Sequence, residues 1–136
     1  MNLTYKMINK SKKILTEISA GELLDKITIL EIKLDNIKDK EKLIEINKEY
    51  NSLEKTKKSN IRITEDLQGL INQLSEINLK LWSIEEQKRI CEKNADFGKN
   101  FIQLSRNVYI NNDKRAKIKF DINKLLGSNI KEVKSY

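Results

Sequence analysis

The chain has 136 residues, one Cys, no His and a net charge of +7, with 35% charged and 38% hydrophobic residues. This length predicts a single domain, and the composition favours long amphipathic helices with solvated faces over a compact multilayer core. A single Cys excludes an intramolecular disulfide, and the lack of His excludes His-based catalytic triads and Cys/His zinc sites made by one chain.

The same composition sets expectations for cofactors and location. We expect no cofactor and no metal ion, because no phosphate-binding glycine loop or metal-ligand spacing is present. No apolar run approaches the roughly 20 residues of a membrane-spanning helix. Residues 1–13 carry four lysines but no apolar core, so they do not resemble a signal peptide. We therefore expect a cytoplasmic protein, with a basic N-terminal arm (1–18) before a single helical domain (19–136).

The first predicted helix begins at Ala20, because Ser19 and Glu22 have the spacing of a capping box. Its apolar seam follows spacings of four and three: Leu23, Ile27, Leu30, Leu34 and Ile37. The register slips near Asp39, which leaves two alternatives. Either Asp39 caps a new helix, or one helix continues through a stutter. Residues 57–60 are predicted to connect this region to the next helix.

The longest helical signal covers residues 64–94, with Thr64 as its cap. Its apolar positions alternate in spacings of three and four, and Trp82 lies beside them. The resulting interface candidates are Leu67, Leu70, Leu74, Ile77, Leu81, Trp82 and Ile84. Such a seam needs a partner helix, either from this chain or from a second copy. Cys91 continues the seam and is predicted to be a buried apolar side chain rather than a nucleophile.

Two shorter helices are predicted over residues 99–110 and 114–126, joined by a turn at Asn111-Asn112-Asp113. Gly127 is placed to end the second helix, and residues 128–136 form a polar tail. The predicted fold is therefore all-α: a long antiparallel, coiled-coil-like helical hairpin over about 19–94 with a small C-terminal helical corner over about 97–127.

Polar residues near the predicted turn form a candidate anion-binding site. They are Arg106, Tyr109, Asn112, Arg115 and Lys119. If the turn brings the two helices together, the guanidinium groups and a helix N-terminus would hold a phosphate or carboxylate. In the alternative, which we favour, Arg106 and Arg115 pair with Asp96, Asp113 or Asp121 and only fix the corner.

Two parts of the sequence carry a family resemblance. The first is the run SAGELLDKITILEIKL at residues 19–34. The second comprises Asp96-Phe97-Gly98, Phe101, Arg106, Val108-Tyr109, Asn112-Asp113, Arg115-Ala116, Ile122-Asn123, Gly127-Ser128 and Lys134-Ser135-Tyr136. Together they resemble an uncharacterised bacterial and marine-phage family, a domain of unknown function. The resemblance implies no activity and no catalytic residues. It does imply that the Arg/Asn/Asp corner and the tail ending in Tyr136 matter to the family.

These observations lead to three functional hypotheses. The first is a non-catalytic helical interaction or assembly module that self-associates, with a dimer as the simplest form and a protein partner as another option. The second is a basic module that binds nucleic acid or another polyanion, which the charge permits but which we do not favour. The third is a binder of, or an enzyme acting on, a small anionic ligand at the candidate anion-binding site.

Overall fold

The computed structural model describes residues 13–136 and shows an all-α protein, as predicted. Its four helices are α1 (Ala20–Asn36), α2 (Lys40–Asn60), α3 (Glu65–Lys93) and α4 (Lys99–Leu126). Most of the predicted N-terminal arm, residues 1–12, lies outside the described residues, and residues 13–18 are exposed and not helical. Within the described part of the chain, no helix is long and apolar enough to cross a membrane.

Side-chain caps fix where three of the helices begin. The Ser19 hydroxyl accepts the N–H three residues on, and the Thr64 hydroxyl does the same at the start of α3. The predicted starts of both helices are therefore confirmed. The Asp39 carboxylate accepts two N–H groups at the start of α2, so the register slip is a break between two helices rather than a stutter.

The predicted connection at residues 57–60 is wrong, because α2 continues through Asn60. The Asn60 side chain donates to the carbonyl of Thr56 within the helix, at 2.8 Å. Lys57 and Lys58 lie in the last turn, where cations interact favourably with the helix dipole. The chain instead turns at residues 61–64, and Ile61 packs against the core there.

The helices form a three-helix core with one helix on the outside. Helices α3 and α4 make the longest antiparallel hairpin, and α1 contacts both of them, whereas α2 contacts only α1. The main core cluster comprises Leu24, Leu67, Leu74, Ile77 and Ile122. The long hairpin of the structure is therefore α3–α4, whereas the sequence predicted it over residues 19–94.

The seam of α3 is covered by helices of the same chain. Five of its predicted interface residues are buried: Leu67, Leu74, Ile77, Leu81 and Ile84. Leu70 and Trp82 are half-buried. Cys91 is buried in a second, smaller cluster with Ile84 and Leu104. No second copy is needed to cover this seam, so the first of the two predicted partners, this chain itself, is the one observed.

The predicted C-terminal corner is replaced by a continuous helix, α4. Asn111 does not turn the chain, because its side chain donates to the carbonyl of Asn107 one turn earlier, at 2.7 Å. Asn111 and Arg115 occupy seam positions in a run of spacings of four and three that continues through the supposed turn: Leu104, Val108, Asn111, Arg115, Ile118 and Ile122. Packing along α3 and α1 therefore keeps the helix intact where local turn propensity predicted a break.

Gly21 lets α1 approach α4 closely. Its N–H donates to Asn123 Oδ1 at 2.7 Å, and the neighbouring Ala20 N–H donates to Ser128 Oγ at 2.9 Å. A Cβ atom built on Gly21 would lie 2.5 Å from the carbonyl oxygen of Lys119. Only a residue without a side chain fits at this helix crossing.

We predict that Gly21→Ala destabilises the protein by about 2 kcal/mol, because the methyl group meets backbone that cannot move aside. The matched control is Gly69→Ala in α3, where an added Cβ meets nothing within 4 Å. This control is expected to stabilise the protein by about 0.5–1 kcal/mol through higher helix propensity. Urea unfolding measures both, and equal midpoints for the two variants would contradict the prediction.

Candidate functional site

A buried carboxylate lies at the centre of the three-helix core. The Asp25 residue of α1 is 3% exposed. Its Oδ1 atom accepts a hydrogen bond from Asn78 Nδ2 of α3 at 2.8 Å. The same amide nitrogen is 2.8 Å from Thr28 Oγ1, which in turn donates to the Asp25 carbonyl. A buried charge of this kind needs both hydrogen bonds and a cation for compensation.

Two cations of α4 supply that compensation. Arg115 Nε lies 4.0 Å from Asp25 Oδ1, and its Nη1 donates to Asn78 Oδ1 at 3.4 Å. Lys119 Nζ lies 3.7 Å from Asp25 Oδ2 and 2.6 Å from Glu22 Oε2. Asp25, Asn78 and Arg115 thus form a polar layer that joins α1, α3 and α4 across the core.

This polar layer gives Arg115 an internal acid as its partner, which one of the two alternatives from the sequence predicted. Arg115 pairs with an internal acid, as the structural alternative held, but the acid is Asp25 and not Asp96, Asp113 or Asp121. Glu22, expected to close a capping box, contacts Lys119 instead.

Arg106 and Tyr109 do not join this site. They lie nine and six residues before Arg115 on the same helix, and both are exposed. Nine residues correspond to two and a half turns, so Arg106 projects from the opposite side of α4, roughly 13.5 Å away along its axis. The predicted candidate site is therefore divided: Asn112, Arg115 and Lys119 share one face, whereas Arg106 and Tyr109 lie on others.

The tail, residues 128–136, folds back along this face of α4. Lys119 Nζ lies 3.4 Å from Glu132 Oε2, and Lys134 Nζ lies 2.6 Å from Glu132 Oε1. The hydrogen bond from Lys134 and the charge of Lys119 lower the pKa of Glu132 below its ordinary value. The ionised form of Glu132 is therefore the one that holds the tail in place.

A cavity of about 220 Å³ lies between α4 and the tail; we name it the tail cavity. It is lined by Asn112, Arg115, Ala116, Lys119, Lys134 and Tyr136. Three of these residues are cations and none is an acid. The lining also contains an amide and a phenol, so the tail cavity offers many hydrogen-bond donors, while the three cations are paired with acids outside the lining.

Sequence reasoning missed Asp25, Asn78 and Lys134. The signal for Asp25 and Asn78 was their position, since each is a polar residue beside seam residues of a long helix. The signal for Lys134 was its place in the Lys134-Ser135-Tyr136 ending that carried the family resemblance, but its position in the site depends on the path of the tail. In the described part of the chain, no group of three or more His, Cys, Asp or Glu side chains could hold a metal ion.

We predict that Asp25→Ala destabilises the protein by about 3–5 kcal/mol, because it leaves Arg115 and Lys119 without their buried acid. The control is Asp35→Ala at an exposed position of the same helix, which is expected to change stability by less than about 0.5 kcal/mol. Chemical unfolding followed by circular dichroism gives both values. A loss below about 1 kcal/mol for Asp25→Ala would show that the polar layer does not hold the fold together.

Comparison with known proteins gives a family but no function. The model described as "Family of unknown function (DUF6165)" matches residues 14–136, so the chain belongs to this family. No curated protein and no solved structure matches the chain. The predicted resemblance to a domain of unknown function is confirmed. The stretches that carried it meet at the site, since Glu22 and Asp25 come from the first and Arg115 and Lys134 from the second.

Proposed function

We propose that this member of DUF6165 is a non-catalytic binding module that holds the oxyanion of a small ligand, a phosphate or carboxylate group, in the tail cavity. The observation that carries this proposal is the lining of the cavity, with three cations and no acid. Proteins use this combination of guanidinium and ammonium groups to recognise phosphates and carboxylates.

Arg115 is the central residue of the proposed site. A guanidinium has five N–H donors, and among residues 13–136 that of Arg115 makes one hydrogen bond, to Asn78. Its side chain is 30% exposed, so the remaining donors have access to the cavity. Asp25 and Asn78 hold the group from behind, which reduces the entropy lost when an anion binds.

The acids near the site do not occupy the tail cavity. Glu22 and Asp25 contact Lys119 on its α1 side, and Glu132 bridges Lys119 and Lys134. These three acids hold the three cations in place and balance their formal charge, so the proposed site relies on free hydrogen-bond donors and not on a net positive charge. Lys119 and Lys134 form close ion pairs with Glu22 and Glu132, each at 2.6 Å, whereas Arg115 is paired more loosely and keeps donors for a ligand.

The non-catalytic part of the proposal rests on the available side chains. The chain has no His, and Cys91 is buried in the cluster with Ile84 and Leu104, away from the residues that line the tail cavity. Proton transfer in the cavity would depend on Lys119, Lys134 or Tyr136, none of which is paired with a His or Cys side chain there.

We predict that the protein binds inorganic phosphate or pyrophosphate at low ionic strength. The Arg115→Gln variant is expected to bind these anions at least about 10-fold more weakly, because the substitution removes charge-assisted hydrogen bonds. The matched control is Arg106→Gln, on another face of α4, which is expected to change the affinity less than about twofold. Isothermal titration calorimetry measures the affinity of the wild type and of both variants for phosphate.

Lys134→Gln is a second test variant for the case in which Arg115→Gln also affects folding. Among the described residues, the one ion pair of Lys134 is with the tail residue Glu132. The Lys134→Gln substitution is therefore expected to weaken phosphate binding by about 3- to 10-fold without altering the unfolding midpoint. No phosphate or carboxylate binding by the wild type, or equal losses for the Arg115 and Arg106 variants, would contradict the proposal.

A second candidate function, self-association, is favoured by helix α2. This helix contains no buried residue and contacts α1 alone. Ile44 is 66% exposed and lies on a different face of α2 from the partly buried Ile46 and Tyr50. We propose that α2 pairs with a second copy of the chain, most simply as a dimer, because it adds little to the core of its own protomer. Another protein in place of the second copy is the alternative.

We predict that sedimentation velocity at a protein concentration of about 100 µM shows a dimer. Ile44→Lys is expected to raise the dimer dissociation constant by about 10-fold, because it removes one apolar contact and adds a charge. The control is Ile90→Lys, also at an exposed apolar position but on α3. A monomeric wild type, or equal weakening by both variants, would contradict the proposal.

We also propose the cytoplasm as the location of the protein. The support is the use of one Cys, which is buried and cannot form a disulfide within the chain.

A further inference from the structure

The ammonium group of Lys119 is surrounded by acids. Its Nζ atom lies 2.6 Å from Glu22 Oε2, 3.4 Å from Glu132 Oε2 and 3.7 Å from Asp25 Oδ2. An ammonium group has three N–H donors, so these three carboxylates fill its surroundings. Lys119 also lines the tail cavity. An anion in this cavity can therefore bind Lys119 only if one of the carboxylates moves away.

Glu132 is the acid that can leave most easily. Its side chain is 45% exposed, compared with 32% for Glu22 and 5% for Asp25, so water can hydrate its carboxylate after it has moved. Its hydrogen bond to Lys119 is 3.4 Å long, whereas that of Glu22 is 2.6 Å long. Asp25 is also held by Asn78, and its removal would break the buried polar layer.

Glu132 binds the two lysines as a ligand would. One of its oxygens lies 2.6 Å from Lys134 Nζ, and the other lies 3.4 Å from Lys119 Nζ. It reaches them from a neighbouring cavity of about 260 Å³, which both lysines also line. Lys134 and Lys119 lower the pKa of Glu132, so this carboxylate is ionised at neutral pH and competes with other anions.

We infer that Glu132 is an internal competitor of the ligand: an oxyanion that binds in the tail cavity replaces the Glu132 carboxylate on Lys119 and Lys134, and the Glu132 side chain turns into solvent. This inference rests on the proposed anion-binding function and adds its regulation. One negative charge leaves the lysines as another arrives. The site can therefore accept an anion although its three cations are already paired with acids.

The exchange also controls how the tail is attached. Among residues 13–136, the contact of Glu132 with Lys119 is the one salt bridge or side-chain hydrogen bond that ties residues 130–136 to a helix. An anion bound between Lys119 and Lys134 takes over this connection. The tail is thus fastened by an acid of its own when the cavity is empty and by the ligand when the cavity is filled.

Glu132→Gln tests the competition, because it removes the charge and keeps the length of the side chain. We expect this variant to bind inorganic phosphate about 3- to 10-fold more tightly than the wild type in calorimetry at low ionic strength. The matched control is Glu92→Gln, at an exposed position near the end of α3, which changes the net charge by the same amount. The control is expected to change the affinity by less than about twofold.

NMR observes the displacement of the carboxylate directly. The carboxyl ¹³C signal of Glu132 is identified by its absence in the Glu132→Gln variant. As phosphate saturates the wild type, this signal is expected to move toward the position of an exposed glutamate such as that of Glu92. A Glu132 signal that stays in place at saturation would show that the acid only positions the lysines, and would overturn the inference.

The calorimetric outcomes separate this inference from the proposed function. If the wild type binds phosphate but Glu132→Gln binds it no more tightly, or gains only as much as Glu92→Gln, the inference is wrong and the anion site stands. If neither the wild type nor Glu132→Gln binds phosphate, both are wrong. Binding by Glu132→Gln alone would support the competition and overturn the proposed function of the intact chain.

Discussion

The carboxylate of Asp25 is the constraint on which the arrangement of the helices depends. A nearly fully buried acid must meet hydrogen-bond donors and cations, and here they come from two other helices, through Asn78 of α3 and through Arg115 and Lys119 of α4. Only one register of α1 against α3 and α4 satisfies all of them. Apolar seams alone tolerate sliding by a heptad, whereas a single polar position in a seam fixes the register.

The same constraint is the basis of the proposed anion-binding site, because the buried acid fixes the position of the cations. Lys119 is 11% exposed and is surrounded by three acids, so its role is mainly to hold α1, α4 and the tail together. Arg115 is less buried and has donors left over after its contacts with Asp25 and Asn78. In the proposed function, this guanidinium, held by Asp25 and Asn78 on one side and open on the other, is the preorganised receptor for an oxyanion.

Local signals predicted the parts of the fold that depend on neighbours in sequence. The hydroxyls of Ser19 and Thr64 marked helix starts correctly, and the seam from Leu67 to Ile84 was correctly assigned to buried helix packing. The predicted corner failed because Asn111 and Arg115 look like turn and surface residues but occupy core-facing positions of α4. Their partners lie on other helices, so one-dimensional periodicity could not reveal them. Helical spacing also predicted that Arg115 and Lys119 share a face of α4, as they do, whereas their contacts with Asp25 and the position of Lys134 depend on tertiary structure.

The most direct test of this account is the NMR signal of the arginine side chains. The chain contains four arginines, so their Nε–Hε resonances can be assigned by substitution. On titration with phosphate, the account predicts that the Arg115 resonance shifts and that rotation of its guanidinium slows, while the resonances of Arg62 and Arg106 stay in place. An unmoved Arg115 resonance, or equal shifts of all four, would contradict the claim that a guanidinium anchored by Asp25 is the anion receptor.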